Sequence, residues 1–270
     1  MSSLFKNAAW LALAVVMLYP LVWMLLSSLK ASNIEIFGEP FSPPHALTWS
    51  NYAKAVRAGR MDTYWVNSMW VTGLSVAATV TFGVWAGFAL SKPSFPARRL
   101  WLAVFFIGMI LPIQAYLIPL LSLLERLGIH DSLWALILPY TALNLPVAVL
   151  LFSAFFAGLP TELEDAAKLD GVGTLRFYTS ILLPVAKPVV ATVVVLTALN
   201  TWNEFLMALL FIVDPRMKTL PVGMIAFEQS HNTDYPALLA GLSLISLPTL
   251  LLYAAFNRQV IRGVMAGTVK

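Results

Sequence analysis

The sequence predicts an all-α integral membrane protein that crosses the bilayer six times. Of its 270 residues, 59% are hydrophobic and 11% are charged, whereas soluble domains carry about 25% charged residues. The mean hydropathy is +0.80. Six apolar stretches each reach the length of about 20 residues that a helix needs to cross the hydrocarbon core. These observations predict a single membrane domain over residues 1–270.

The six predicted spans cover residues 8–29, 65–91, 100–121, 133–157, 188–213 and 236–256. The first is longer than the apolar part of a secretory signal, and no small-residue cleavage site follows it, so we expect it to remain as a helix. Along the second, small side chains recur every three or four residues and end in Gly83 and Gly87, a pattern typical of close helix packing. Pro112, Gln114 and Pro119 interrupt the third, which we expect to break near its outer end.

The distribution of charge predicts the orientation of these helices. An even number of spans places both termini on one side of the membrane. With the termini inside, ten of the 17 Lys and Arg residues lie on the inner side, in the direction of the positive-inside rule. They are Lys6, Lys92, Arg98, Arg99, Lys168, Arg176, Lys187, Arg258, Arg262 and Lys270. We therefore predict that both termini are cytoplasmic.

Composition argues against several kinds of chemistry. Cysteine is absent, so there is no thiol nucleophile, and the three histidines, His45, His130 and His231, fall in separate predicted loops. We expect no metal site and no catalytic centre. No G-x-x-x-x-G-K-[ST] sequence occurs, so we expect no ATP hydrolysis by this chain. Basic residues flank apolar stretches rather than cluster, which does not favour nucleic-acid binding.

The loop 159–187, between the fourth and fifth spans, is too polar to lie in the membrane. Thr161 and Glu164 have the spacing of a capping box, Glu164 and Lys168 that of a favourable i,i+4 ion pair, and Gly171 stands where a helix ends with positive φ. We predict a short helix from these signals.

One face of this predicted helix carries Leu163, Ala166, Ala167 and Asp170. Two alanines make that face shallow, so the groove of another protein has room to approach. A membrane-surface amphipathic segment is the alternative. It fits the second half of the loop but not the acidic first half, which anionic lipids repel.

The run Glu162-Leu163-Glu164-Asp165-Ala166-Ala167-Lys168-Leu169-Asp170-Gly171, followed by Phe177, Ile181, Pro184 and Pro188, resembles the EAA loop of ABC importer permeases. The resemblance implies a coupling helix that docks on a cytoplasmic ATPase. The implied coupling residues are Leu163, Glu164, Asp165, Ala166, Ala167, Asp170 and Gly171. Asp165 departs from the family's glutamate and has a shorter reach, and Val172 replaces an alanine.

Further segments are similar to the maltose-type, carbohydrate-uptake branch, in particular to its second, shorter permease. They are Phe41-Ser42-Pro43, Asn51-Tyr52, Asn67-Ser68, Trp202-Asn203-Glu204-Phe205 and residues 262–270. The implied function is ATP-driven, binding-protein-dependent import of a sugar or oligosaccharide across a bacterial or archaeal cytoplasmic membrane. The implied partners are a homologous permease, two ATPase subunits that hold ATP and Mg²⁺, and an external solute-binding protein. A glycerol phosphoester or a polyol is the alternative solute.

A polar stripe in the fifth predicted span is the candidate substrate pathway. Thr197, Asn200, Thr201 and Glu204 recur at helical spacing, with Trp202 and Asn203 beside them. Ionisable groups inside a membrane normally face a cavity or a partner, and amides, carboxylates and an indole suit sugars. Asn200, Trp202, Asn203 and Glu204 are therefore predicted to line the pathway. Hydrogen bonding to a neighbouring helix remains the other interpretation.

Three further features of the sequence carry expectations. The Asn144-Leu-Pro146 step of the fourth span is either a kink or part of the pathway. The outer loop Asp214–Asp234 is expected, on the same resemblance, to contact the binding protein. A secondary transporter and a membrane enzyme are less well supported, because Glu204 is the single acid inside a predicted span and no His, Asp or Cys cluster is visible.

Overall fold

The computed structural model of the chain describes residues 3–58, 60–227 and 233–268, with side chains described over 5–57, 60–225 and 233–256. Within these ranges the chain forms helices and turns and no strand, which confirms the all-α prediction. In chain order the helices are α1 (Ser3–Ser28), α2 (Asn33–Gly38), α3 (Ser50–Ala58), α4 (Met61–Ser91), α5 (Arg98–Ile110), α6 (Leu117–Arg126), α7 (Trp134–Ala157), α8 (Glu162–Leu169), α9 (Thr174–Phe177), α10 (Leu183–Val185), α11 (Lys187–Trp202), α12 (Leu206–Phe211), α13 (Leu220–Gly223) and α14 (Tyr235–Thr268). A π-helical turn, Tyr178–Leu182, joins α9 to α10, and 3₁₀ turns lie at Ile113–Ala115 and Met224–Phe227.

Four helices of the described chain are long and apolar enough to cross a membrane. The segments are Phe5–Ser28, Met61–Ser91, Trp134–Ala157 and Tyr235–Phe256. They coincide with the predicted first, second, fourth and sixth spans. Those four predictions are therefore confirmed as continuous apolar helices.

The third predicted span, 100–121, is not one helix. Helix α5 ends at Ile110, the backbone is extended at Leu111 and Pro112, and α6 begins at Leu117. Proline lacks the amide hydrogen that would continue the helix and disfavours helical geometry in the residue before it. The predicted break is present at Pro112, whereas Pro119 lies within the first turn of α6.

The fifth predicted span, 188–213, is also divided. Helix α11 ends at Trp202, and α12 begins only at Leu206. At its other end, α11 is bent by 79° against the segment Thr174–Val185. Length and apolarity therefore give four spans in the described chain, or five if this bent pair is one span. The count of six stays a prediction.

The chain divides into two compact units, and the first comprises Met1–Val66 and Thr219–Pro248. Lys30 is fully buried there, and its Nζ donates to the Glu39 carbonyl at 2.6 Å. Carbonyls at a helix C-terminus are a favourable environment for a cation, so this ammonium has a suitable partner just beyond α2.

The second unit comprises Asn67–Lys218 and Thr249–Lys270 and contains the candidate sites. In it, α4 packs closely on α7 at two glycines. A Cβ atom at Gly83 would lie 3.0 Å from Ala148 Cβ, and one at Gly87 would lie 2.4 Å from Phe152 Cβ. The predicted close packing through small residues is confirmed at these two glycines.

Candidate functional site

Helix α8 lies where the sequence predicted a short helix, but the capping box does not form. Thr161 has helical dihedral angles, φ −65° and ψ −26°, and its side chain caps no amide. A capping hydroxyl normally belongs to a residue outside helical geometry. Glu164 instead forms the predicted i,i+4 pair with Lys168 at 3.1 Å.

The two alanines of α8 point in different directions, which corrects the predicted shallow face. Ala167 is only 5% exposed and packs in a cluster with Phe156, Phe177 and Leu182 of the same chain. Ala166 is exposed. Ala167 therefore belongs to the chain's own core, and the surface open to another protein carries Ala166.

The open side of α8 is a mixed acidic and apolar surface. Asp165 and Asp170 are exposed on it, and Leu169 is 89% exposed. Leu169 was not among the predicted site residues, although one leucine within an otherwise polar helix end is a signal that could have found it. Leu169 is therefore accessible for contact with a protein partner on this side of α8.

The turn after α8 has the geometry predicted for Gly171. Its φ is +69°, in the left-handed region that glycine adopts freely. An added Cβ would meet no atom within 4 Å. The glycine is therefore required by backbone conformation and not by crowding.

Glu164 connects α8 to the end of α4. Its carboxylate accepts a hydrogen bond from Lys92 Nζ, and Lys92 also lies 4.6 Å from the centroid of the Phe88 ring. The hydrogen bond from Lys92 holds the pKa of the Glu164 carboxyl below its usual value of 4.5, with Lys168 acting in the same direction and partial burial acting against both. Glu164 in turn raises the pKa of the Lys168 ammonium.

A cavity of about 280 Å³ lies between α8 and the junction of α4 with α5. Its wall is mainly aromatic and aliphatic, and Lys92, Arg98 and Glu164 supply charges. The Arg98 Nε donates to the Leu90 carbonyl at 2.7 Å, so that guanidinium is already anchored to the last turn of α4.

Glu204 lies in the break after α11 and not within a helix, which corrects the predicted helical stripe. Its carboxylate accepts hydrogen bonds from the amides of Met207 at 2.9 Å and Ala208 at 3.2 Å. Tyr140 on α7 donates to it at 2.5 Å. Glu204 thus caps the start of α12 and joins it to α7, as the hydrogen-bonding interpretation expected but within one chain.

The neighbours of Glu204 differ in exposure. Trp202 is 3% exposed, so its indole offers no open face for a sugar ring in this structure. Asn203 is exposed; its Nδ2 donates to the Leu199 carbonyl at 2.8 Å, and its Oδ1 accepts from Thr249 at 3.4 Å. The four predicted pathway residues therefore do not share one surface.

Asn200 meets Asn144 at the side of a second cavity. Its Nδ2 donates to Asn144 Oδ1 at 3.0 Å, and Asn144 Nδ2 donates to the Tyr140 carbonyl at 2.8 Å. Both asparagines and Thr197 line a cavity of about 120 Å³ between α7 and α11. Helix α7 continues through Pro146, so the Asn144 step does not interrupt the helix.

Other predicted features lie partly outside the described residues. The described residues do not include 228–232, which contain His231 and form part of the loop 214–234. In the described part, Arg216 pairs with Asp214 at 2.8 Å. Over the same described ranges, no three His, Cys, Asp or Glu side chains are grouped to hold a metal ion.

Comparison with known proteins gives the family. Residues 79–264 match the family described as binding-protein-dependent transport system inner membrane component. The chain is 34% identical over 254 residues to the sulfoquinovosyl glycerol transport system permease protein SmoH of Agrobacterium fabrum, covering 94% of this chain and 89% of that protein. It is 32% identical over 267 residues to the diacetylchitobiose uptake system permease protein NgcG of Streptomyces coelicolor, covering 98% and 88%.

A solved structure shares the fold. It is a bacterial ABC transporter involved in the import of the acidic polysaccharide alginate, with a TM-score of 0.83 over 94% of this chain and 95% of that chain, at 22% identity. With the match to the family, these similarities establish that the chain belongs to the binding-protein-dependent transport system inner membrane components.

Proposed function

We propose that the chain is the permease subunit of an ATP-driven importer for a sugar or oligosaccharide. The observation that carries this proposal is the open side of α8, where Asp165, Ala166 and Leu169 face away from the chain's own core. A protein that has to receive motion from a separate ATPase needs such a surface outside the membrane. In this proposal ATP and Mg²⁺ are held by partner ATPase subunits.

The carbohydrate class is supported by relatives and by polar groups between apolar helices. The two similar permeases are named for sulfoquinovosyl glycerol transport and for diacetylchitobiose uptake. In this chain, Asn144 and Asn200 provide amide donors and acceptors at the 120 Å³ cavity. Amides and hydroxyls exchange hydrogen bonds in both directions, which suits a solute rich in hydroxyl groups.

The proposed topology has six crossings with cytoplasmic termini. Four are the long apolar helices. The third is formed by α5 with α6, and the fifth by α11 with α12, each interrupted. Broken helices are tolerated at membrane depth where the freed backbone groups find partners within the protein, and Glu204 supplies one such partner for α12.

The proposed coupling residues are the same ones that the sequence predicted, but they have two different roles. Asp165, Ala166 and Asp170 are exposed and contact the ATPase. Glu164 and Ala167 hold α8 in place, as their contacts within the chain indicate. Leu163 is half-buried at the cavity rim, and Gly171 turns the chain away from the helix.

Reconstitution tests the proposal. The chain is co-purified with its homologous permease and ATPase, placed in liposomes, and given its binding protein and radiolabelled sugars. We expect ATP-dependent uptake that Asp165→Lys abolishes, because a reversed charge on the open side of α8 opposes docking. Uptake that persists without an ATPase would instead identify a secondary transporter.

A polyol or a glycerol phosphoester remains the second candidate solute. The observation that favours it is the 34% identity to a permease named for sulfoquinovosyl glycerol transport. Competition of uptake by polyols or glycerol phosphoesters, but not by free oligosaccharides, would select this candidate.

A further inference from the structure

Helix α8 is attached to its own unit at few points. Ala167 is its one buried residue. The start of α8 lines a cavity of about 280 Å³ together with Phe88 and Phe156. Apolar packing alone therefore does not fix the position of the first turns of α8. A polar contact has to do so.

Lys92 makes that contact from the end of α4. It follows Ser91, the last residue of the helix, and its ammonium bonds the Glu164 carboxylate beside the Phe88 ring. The side chains of Lys92 and Glu164 are 35% and 27% exposed. Salt screens a partly buried pair less than an exposed one, and the ring face adds a favourable cation–π contact.

The other charges near Glu164 do not make the same connection. Lys168 and Asp165 lie on α8 itself, and Arg98 faces the cavity with its Nε bound to the Leu90 carbonyl. Among the ion pairs of the described chain, the Lys92–Glu164 bridge is the one that joins α8 to another segment, at the residue that follows α4. Its partners are separated by 72 residues in sequence.

We propose that Lys92 is a positioning residue that makes the Ser91 end of α4 follow α8. Ala167 acts as the pivot, and the bridge transmits displacement of the first turns of α8 to α4. Helix α4 passes the displacement to α7, since Gly87 brings the two backbones into close contact. The inference rests on the proposed function, in which α8 is displaced by an ATPase.

Lys92→Met is the informative substitution, because it removes the charge and keeps an unbranched stem. Lys92 is not part of the surface proposed to contact the ATPase, so the Lys92→Met variant should still co-purify with the ATPase. We expect sugar imported per ATP hydrolysed to fall by about twofold to thirtyfold, the range that substitutions along coupled networks produce. Lys92→Arg keeps the charge and the ring contact and should remain close to wild type.

Two further variants separate the bridge from a general charge effect. Lys168→Met also removes a cation bonded to Glu164, but one on the same helix, and should leave the import ratio unchanged. The double variant Lys92→Met with Glu164→Gln should lose no more than the more impaired single variant, because both changes remove one shared interaction.

Hydrogen exchange gives a readout that needs no transport. In the purified complex, amides of α8 should exchange faster in Lys92→Met than in wild type or Lys168→Met. Wild-type exchange and a wild-type import ratio in Lys92→Met would overturn the inference, as would equal losses in Lys168→Met. If the wild-type complex imports no sugar, the proposed function fails, and the exchange measurement still decides whether the bridge positions α8.

Discussion

At the scale of single residues, Ala166 and Ala167 are adjacent in sequence but have different surroundings. Ala167 contacts the aromatic cluster of its own chain, whereas Ala166 is exposed. A bulky residue at each position therefore reports on a different contact. The pair is a matched test of internal packing against docking.

Ala167→Trp should destabilise the chain itself. Overfilling a packed site costs about 1–3 kcal/mol, so we expect a lower unfolding temperature and poor recovery. Ala166→Trp should leave the unfolding temperature unchanged and prevent ATPase association. Thermal unfolding and ATPase co-purification of both variants check this, and equal recovery and equal association for the two would contradict the assigned faces.

Gly171 gives a second residue-scale prediction. Gly171→Val should strain the turn, since left-handed geometry costs a residue with a side chain roughly 1–2 kcal/mol, and binding-protein-stimulated hydrolysis should fall. Gly171→Asn should be milder because asparagine tolerates this geometry. No crowding opposes either side chain, so identical hydrolysis rates for the two variants would show that φ at this position is unimportant.

At the scale of secondary-structure elements, the break between α11 and α12 is stabilised by side chains. Glu204 accepts from two amides of α12 and from Tyr140 on α7. Carboxylates that accept backbone amides at a helix start stabilise that start. These hydrogen bonds therefore stabilise the break and hold the start of α12 against α7.

Tyr140→Phe and Glu204→Gln test this capping. Hydrogen bonds to a charged group contribute about 1.5–3 kcal/mol, so each variant should unfold at lower temperature. If the carboxylate serves only this structural role, uptake measured on the remaining folded complex should stay normal. Loss of uptake in Glu204→Gln with normal uptake in Tyr140→Phe would instead assign the carboxylate to the pathway.

The attachment of α8 should depend on pH. Lys92 lowers the folded pKa of Glu164 below the usual 4.5, so the bridge stabilises α8 fully above that value and is lost as pH falls through the lower folded pKa. Exchange protection of α8, corrected for intrinsic rates, should fall in acid in wild type and stay level in Glu164→Gln. Parallel profiles for the two proteins would argue against the bridge.

Three local features were predicted correctly from sequence, whereas the capping box was predicted wrongly and contacts between distant residues were missed. Gly171, the Glu164–Lys168 pair and the break at Pro112 follow from neighbouring residues, and the structure has all three. The break at Glu204 carries no proline or glycine and depends on Tyr140 from another helix. Periodicity within α8 cannot reveal that Lys92, distant in sequence, meets Glu164.

At the scale of the whole molecule, the predicted topology can be tested directly because the chain contains no cysteine. Ser94→Cys and Ala46→Cys place single thiols at exposed positions in loops predicted on opposite sides. A membrane-impermeant maleimide should label position 46 in intact cells and position 94 only after permeabilisation. Labelling of position 94 alone in intact cells would reverse the orientation.

Helix α1 has a consequence for how this protein reaches its final fold. No residue in its most apolar window is buried within the chain, so truncating a side chain there opens no internal void. Substitutions such as Leu13→Ala should therefore leave the unfolding temperature unchanged and act through partitioning, since each apolar side chain contributes about 0.3–0.6 kcal/mol to translocon-mediated insertion. Variation in α1 would then change how many molecules enter the membrane, and not how stable each one is after entry.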